Sequence, residues 1–512
     1  MSSIFRGKFA FALKMIFLAV TTAVLGLLSQ SAFATGEYAI GAFLAIGILV
    51  LSFAYLTKFS IPLKFFAPGI LFFFAFVIAP IIFTLTMSTY NYQTGNFISK
   101  DEAVEQVLIL GVEPDQAQTT FDLVSGITSS GEDAILVSDI ANNKFFISTK
   151  DSKTDLSTDQ IKINEFGVAI SAPGFTELSA IQLSTNTTYS QINYAYQDEY
   201  YIKIEGQGVG AVFRRVLTYD PNTDTINNII NGAKYINNDR GNFALEGSEE
   251  TILTPGWRAP NWFANYAKLV TDERVRTPLI KVFIWTISFA SLTVLSTFAF
   301  GLLLAMALNK KMHGRRIYRS ILILPYAMPS VMSILIWAGM FDSQFGAINN
   351  ILNTEIAWFS SASFARGAVL LVNLWLGFPY FYLICSGSLQ AIPSELLEAA
   401  AIDGANPRQV FRRITLPLLL KILSPLLIAS FAFNFNNFNL IYLLTGGGPR
   451  KELDGEIAGA TDILISYTYK IAFGENINNF GLASAISVLI FFIVASISFY
   501  GLRRSKVMET FE

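Results

Sequence analysis

The sequence predicts an all-α polytopic membrane protein with eight transmembrane helices and a large β-rich insert outside the membrane. Three observations predict it. Of 512 residues, 52% are hydrophobic and only 14% charged, where a soluble domain carries about 25% charged residues, and the mean hydropathy is +0.47. Apolar runs long enough to cross about 30 Å of hydrocarbon recur along the chain. One polar stretch, 89–278, interrupts them and reads as short strands.

The spans fall near 12–33, 38–57, 65–88, 279–308, 320–341, 366–388, 420–444 and 480–502. The chain thus divides into three N-terminal helices (1–88), the insert (89–278) and a core of five helices (279–512). The first span has a rival reading as a cleaved signal, since a basic start and an apolar core lead to Ala32-Phe33-Ala34. Its long apolar core favours a retained helix, and the remaining topology is the same either way.

Lysine and arginine in the short loops set the orientation. Arg6, Lys8 and Lys14 precede the first span, and Lys58 and Lys64 lie between the second and third. Lys310, Lys311, Arg315, Arg316 and Arg319 follow the fourth, Arg408, Arg412 and Arg413 the sixth, and Arg503, Arg504 and Lys506 the last. These clusters alternate with loops of little net positive charge, which places both termini in the cytoplasm. The insert and the 342–365 and 445–479 loops then face outward.

In the insert, AILVSDI, KFFIST, YYIKIEG and VFRRVLTY are β-branched and aromatic runs, with turn signals such as Asp220-Pro221-Asn222 between some of them. A small sandwich or barrel is expected, serving either as a spacer or as a platform for an external partner. Acidic residues outnumber basic ones there, and no catalytic constellation stands out.

Several function classes are excluded or weakened. One cysteine, Cys385, rules out an internal disulfide, and one histidine, His313, rules out histidine-rich metal sites. No ionisable side chain lies deep in a span; Lys14, Lys281 and Arg366 sit at span ends, where they can snorkel. This argues against proton coupling and charged substrates. Gly446-Gly447-Gly448-Pro449-Arg450-Lys451 lacks P-loop spacing and reads as a tight external turn.

Neutral polar groups do occur within the spans. In SFAFNFNNFN, Ser430, Asn434 and Asn437 fall at i, i+4 and i+7 on one helical face, with Phe433 beside it. The sixth span carries Asn373, Trp375, Gly377, Pro379 and Tyr380, where Gly-Phe-Pro is expected to loosen the helix. Pro325 and Pro329 predict a kink in the fifth. Such amides also serve merely to join helices. Several of them beside aromatic faces favour a cavity for a neutral polyol or saccharide, since amides offer paired donors and acceptors to hydroxyls.

The cytoplasmic stretch EAAAIDGANPRQVFRRITLP, 398–417, reads as a two-helix knob. Pro393 to Leu396 open the first helix, Ala399, Ala400 and Ala401 leave a smooth face, and Gly404 breaks it. Asn406 caps the second helix, with Pro407 at its first position.

The spacing of Glu398-Ala399-Ala400, Gly404 and Ile414-x-Leu416-Pro417 resembles the coupling motif (EAA motif) of ABC importer permeases. Together with ILPYAMPS in the fifth span, FAFNFNNF in the seventh and the insert after the third, the chain resembles the larger permease subunits of bacterial maltose/maltodextrin ABC importers, within the binding-protein-dependent transport permease family. The resemblance is closest over about 280–500. It implies a type I ABC importer permease core and an immunoglobulin-like periplasmic insert, in a bacterial inner-membrane protein. Substrate contacts would be Asn373, Leu376, Gly377, Tyr380, Ser430, Phe433, Asn434 and Asn437. The coupling residues would be Glu398, Ala399, Ala400, Gly404, Ile414, Leu416 and Pro417.

The same resemblance implies a non-enzymatic pore subunit with no cofactor of its own, ATP and Mg being held by partner ATPases. Expected partners are a second, smaller permease, two ATPase subunits, a periplasmic sugar-binding protein and membrane lipid, but no nucleic acid. The alternatives are a permease of this class for another neutral sugar, or a secondary sugar transporter, for which no coupling-ion site and no internal repeat is evident.

Overall fold

The computed structural model describes residues 7–34, 38–56, 61–117, 119–185, 188–206, 208–248, 250–309, 312–450, 457–474 and 478–504. Arg6, Lys58, Lys310, Lys311, Lys451 and Lys506 lie outside them. The chain forms two units, Met1–Met87 and Ser88–Glu512.

In the first unit, helices α1 (Lys8–Ala34) and α2 (Tyr38–Leu56) are tied at both ends. Ser29 Oγ donates to Gly41 O (2.9 Å) and Lys14 Nζ to Tyr55 O (2.6 Å). Helix α3 (Ile61–Phe73) runs through a π turn, Phe74–Ile78, into α4 (Ala79–Met87). Pro80 has no N–H to give Phe76, and the ladder widens so that Ala79 N–H reaches Phe74 O.

The second unit opens with the insert. Helix α5 (Lys100–Leu110) starts at a capping box of Ser99 and Glu102 and packs Ala103, Val104 and Val107 against Leu217, Ile226, Phe243 and Trp257. Those partners belong largely to a four-stranded meander, Leu217–Asp220, Thr225–Asn228, Lys234–Asn237 and Phe243–Leu245.

The larger sheet has nine antiparallel strands. Its path runs Tyr194–Gln197, Tyr200–Gly206, Val209–Arg215, Thr120–Thr128, Asp133–Asp139, Lys144–Thr149 and Lys153–Leu156. Val112–Pro114 and Phe175–Glu177 pair alongside, and a short helix, α6 (Ala180–Thr185), precedes the first strand of the path. The sheet curls until Ser148 Oγ donates to Ala195 O (2.6 Å), closing a core of Phe121, Ile135, Val137, Phe146, Tyr194 and Ile202. Leu136 and Phe145 face a second cluster, so the central strands are buried on both sides. The β-rich expectation holds. The pairing is one curled nine-stranded sheet completed by strands distant in sequence, a four-stranded meander and two two-stranded pairs.

The insert is fastened to the helical part by its own stalk. Asn265 of α7 (Ala264–Thr271) donates to Ser88 O (2.9 Å). Thr94 N donates to Asn478 O (2.8 Å), and Gly481 N to Tyr92 O (2.9 Å).

Helix α8 (Glu273–Ala307) is capped by Asp272 and starts before 279, running unbroken through Pro278. The fifth expected span is broken rather than kinked: α9 (Arg315–Ala327) and α10 (Ser330–Met340) meet at 93°. Pro325 and Pro329 explain it, since proline forces the preceding residue toward extended backbone, and Met328 has ψ 140°. A short helix, α11 (Ala347–Leu352), follows, then α12 (Ala362–Gln390).

α12 stays helical through Gly377 and Pro379, so the expected loosening there is confined to the bond that Pro379 cannot make. Its glycine and that of α8 let the two backbones approach. A Cβ at Gly301 would fall 2.7 Å from Tyr382 N, and one at Gly377 would fall 2.9 Å from Thr297 Cγ2.

After α13 (Ser394–Ile402) and α14 (Pro407–Val410), a π turn, Phe411–Thr415, leads into α15 (Leu416–Phe435). Pro417 accounts for the π turn as Pro80 does for the first. The seventh expected span then breaks at Asn436, and α16 (Phe438–Thr445) starts with Asn437 as its cap. Helices α17 (Leu464–Phe473) and α18 (Phe480–Arg504) complete the chain. Among the described residues six helices are long and apolar enough to cross a membrane, or seven when α9–α10 count as one span. Apolar α2 is shorter, so eight spans exceed the helices that qualify on length.

Candidate functional site

A cavity of about 450 Å³ lies among α8, the α9–α10 break, α12 and the α15–α16 break, within the usual size range for small-molecule sites. All eight residues singled out from the sequence line it: Asn373, Leu376, Gly377, Tyr380, Ser430, Phe433, Asn434 and Asn437. Asn437 reaches it by a route other than the one expected. It does not continue the α15 face but sits past the break, where its Oδ1 accepts from Leu440 N (3.4 Å).

Sequence reasoning missed Thr293, Thr297, Tyr326 and Ile334, which also line it, as do Phe381, Ala429 and Leu440. A signal was present for two of them. Thr286, Thr293 and Thr297 recur at helical spacing along the fourth span, and all three are buried.

The polar groups form a directed chain. Asn434 Nδ2 donates to Ser430 O (2.8 Å), and Asn434 Oδ1 accepts from Asn373 Nδ2 (2.7 Å). Asn373 Nδ2 also donates to Thr293 Oγ1 (3.2 Å). Both asparagines are only 5% exposed, whereas the Phe433 ring is 70% exposed. The arrangement offers neutral donors and acceptors beside aromatic and aliphatic walls, which suits a ligand with hydroxyl groups and apolar ring faces.

The 398–417 segment adopts the expected knob. Gly404 takes φ +77°, and the Gly404 and Ala405 N–H groups reach Ala401 O and Ala400 O, which ends α13 in a Schellman turn. Asn406 and Gln409 cap α14 reciprocally (2.9 and 2.8 Å). Glu398, Ala399, Gly404 and Pro417 are exposed, while Ile414 and Leu416 are half-buried. Ala400 is buried against its own chain, so the exposed alanines are Ala399 and Ala401. Ile402, unremarked in the sequence, is 86% exposed at the tip.

Just before α17 the chain is held by charge. Asp462, fully buried, contacts Lys470 Nζ (2.5 Å) and accepts from Gly459 N (2.7 Å) and Ser466 Oγ (2.8 Å). Burial pushes the carboxyl up and the ammonium down, while their contact pulls each back. Arg366, near the start of α12, donates to Ala460 O (2.9 Å) and lies over the Trp285 ring.

Residues 297–506 match the model of the binding-protein-dependent transport system inner membrane component family. The chain is 38% identical over 462 residues to the maltose/maltodextrin transport system permease protein MalF of Vibrio vulnificus (strain YJ016), covering 86% of this chain and 85% of that one. To the protein of that name from Escherichia coli (strain K12) it is 35% identical, over 97% of both. Among solved structures it is similar to a bacterial ABC transporter involved in import of the acidic polysaccharide alginate, with TM-score 0.41 and 20% identity over 48% of this chain and 83% of that chain.

Proposed function

The chain belongs to the family of maltose/maltodextrin transport system permease proteins, and from that premise we propose that it forms half of a sugar pathway driven by ATPases on other chains. It is a multi-pass inner-membrane permease subunit of an ABC importer for maltose and maltodextrins, and ATP hydrolysis belongs to separate subunits. The observation that carries the mechanism is the convergence of eight expected contact residues on one cavity.

The finer reading is as follows. α2 and the α9–α10 pair each count as a span, giving eight, with both termini cytoplasmic and 89–278 periplasmic. A second, smaller permease completes the pore beside the exposed face of Phe433. A periplasmic binding protein delivers sugar, and two ATPase subunits holding ATP and Mg receive the 398–417 knob through Glu398, Ala399, Ile402 and Gly404. Closure of the ATPases moves the knob, and the rigid run from Asn406 into α15 carries that motion to Ser430 and Asn434. Sugar binding and nucleotide state then bias the same two packings of the helices.

The test is ATP hydrolysis by the complex purified through a tag on this chain, reconstituted in lipid with its binding protein. Stimulation by maltose or maltodextrins is expected. Stimulation only by another neutral sugar would replace the substrate, and absence of any co-purifying ATPase would return the chain to the secondary transporters.

A further inference from the structure

We propose that Thr293 is a positioning residue of the sugar site, orienting the Asn373 amide so that its carbonyl oxygen faces the ligand. This role rests on the cavity reading above and extends it to α8, where no contact residue was expected.

An asparagine amide presents two donors at one end and an acceptor at the other, and which end faces a ligand depends on its other partners. Here the orientation has a fixed origin. Ser430 O is a backbone carbonyl and only accepts, so Asn434 must turn its Nδ2 toward it (2.8 Å) and its Oδ1 away. Asn434 Oδ1 then demands a donor, and Asn373 Nδ2 supplies it at 2.7 Å. The remaining Asn373 donor goes to Thr293 Oγ1 at 3.2 Å. Both donors of Asn373 are thereby used within the protein. Its Oδ1 accepts from no described residue, and Asn373 lines the cavity.

Thr293 is 1% exposed and stands on α8, whereas Asn373 and Asn434 stand on α12 and α15. Three helices therefore meet at one amide. If Thr293 could not accept, one buried Asn373 donor would be orphaned and the amide would be held by the Asn434 bond alone. Its carbonyl oxygen would then be less firmly aimed at the ligand.

The experiment compares Thr293→Val, which keeps the shape and removes the hydroxyl, with Thr293→Ser, which keeps the hydroxyl. Radiolabelled maltose retained by the purified full complex is measured at equilibrium without binding protein, alongside ATP-driven uptake at sub-saturating and saturating sugar. Thr293→Val is expected to weaken retention about three- to tenfold, the effect of one buried hydrogen bond. Its uptake should fall more at low sugar than at saturation, and Thr293→Ser should restore both. Retention by Thr293→Val equal to the parent, or Thr293→Ser as impaired as Thr293→Val, overturns the positioning role. Asn434→Ala separates the two readings. If it abolishes retention while Thr293→Val does not, only the role of Thr293 fails; if it too retains maltose normally, the cavity reading fails and takes this inference with it.

Discussion

Asn373 Nδ2 lies 2.7 Å from Asn434 Oδ1, so a single hydrogen bond ties α12 to α15 inside the cavity. With both side chains almost fully buried, the amide donors of the site are satisfied within the protein, while Asn373 Oδ1 accepts from no described residue. A ligand hydroxyl that donates there leaves the internal bonds in place.

Asn434→Ala removes the acceptor and leaves the Asn373 donor buried and unpaired, a cost of about 1–3 kcal/mol. Tyr380→Ala removes a cavity wall instead. Both variants are expected to assemble with their partners, judged by co-purification, yet to lose most sugar uptake. Normal uptake in both would return these residues to a role in holding helices together.

The coupling segment allows a different separation. Gly404 has φ +77°, a region that costs a non-glycine residue about 1–2 kcal/mol, and Glu398 is exposed. Glu398→Lys combined with Gly404→Asp should leave the chain inserted in the membrane while sugar-stimulated ATP hydrolysis falls to background. Undiminished stimulation in that double variant would sink the coupling role of the knob.

Helix approach gives a third prediction. A Cβ at Gly301 would meet the backbone of Phe381 and Tyr382 at under 3.0 Å, so Gly301→Leu forces α8 and α12 apart, and overpacking of this kind costs about 1–3 kcal/mol. The yield and thermal midpoint of the purified complex should drop. Gly339→Ala, where a Cβ meets nothing within 4 Å in α10, is the control. It should be neutral or slightly stabilising, because alanine favours helix over glycine.

What the sequence displayed was local. Hydropathy located the spans, Asn406-Pro407 announced a helix start, and a polar face marked Ser430 and Asn434. What it concealed depends on partners far along the chain. Pro325 and Pro329 announced a distortion, but its size, a 93° break, is not written in their spacing. Asn437 shares a helical face with Ser430 on paper, and the break at Asn436 brings it to the cavity by another path. The curled sheet joins Thr120–Thr128 to Val209–Arg215, a pairing that no local pattern encodes. Ala400 looked identical to its neighbours until the turn at Gly404 decided which of the three faces inward.

The insert should respond to acid through Asp224. Burial alone would raise that carboxyl, but Lys100, Asn237 and Tyr219 donate to it and hold it below the ordinary value. A carboxylate with a depressed folded value stabilises fully above its unfolded value, about 3.9, and loses that contribution as pH falls through the folded one. Hydrogen exchange of α5 and the meander in the intact complex should therefore lose protection below about pH 4. In Asp224→Asn the protection should be weaker at neutral pH and vary less with acid; an unchanged acid profile would exclude Asp224 as the group responsible.

The Asp462–Lys470 pair offers the sharpest energetic test. Asp462 is fully buried against Lys470, and removing one member of a buried pair strands the other, at a cost of about 3–5 kcal/mol. Asp462→Asn should therefore release residues 457–463, read as faster proteolysis there and a lower thermal midpoint. Replacing both partners, Asp462→Asn with Lys470→Met, removes the stranded ammonium and should recover much of the loss. That recovery distinguishes a penalty for an unpaired charge from a requirement for the pair itself. If the double variant is as unstable as the single one, the hydrogen bonds from Gly459 and Ser466 to the carboxylate hold the loop, and the lysine is secondary.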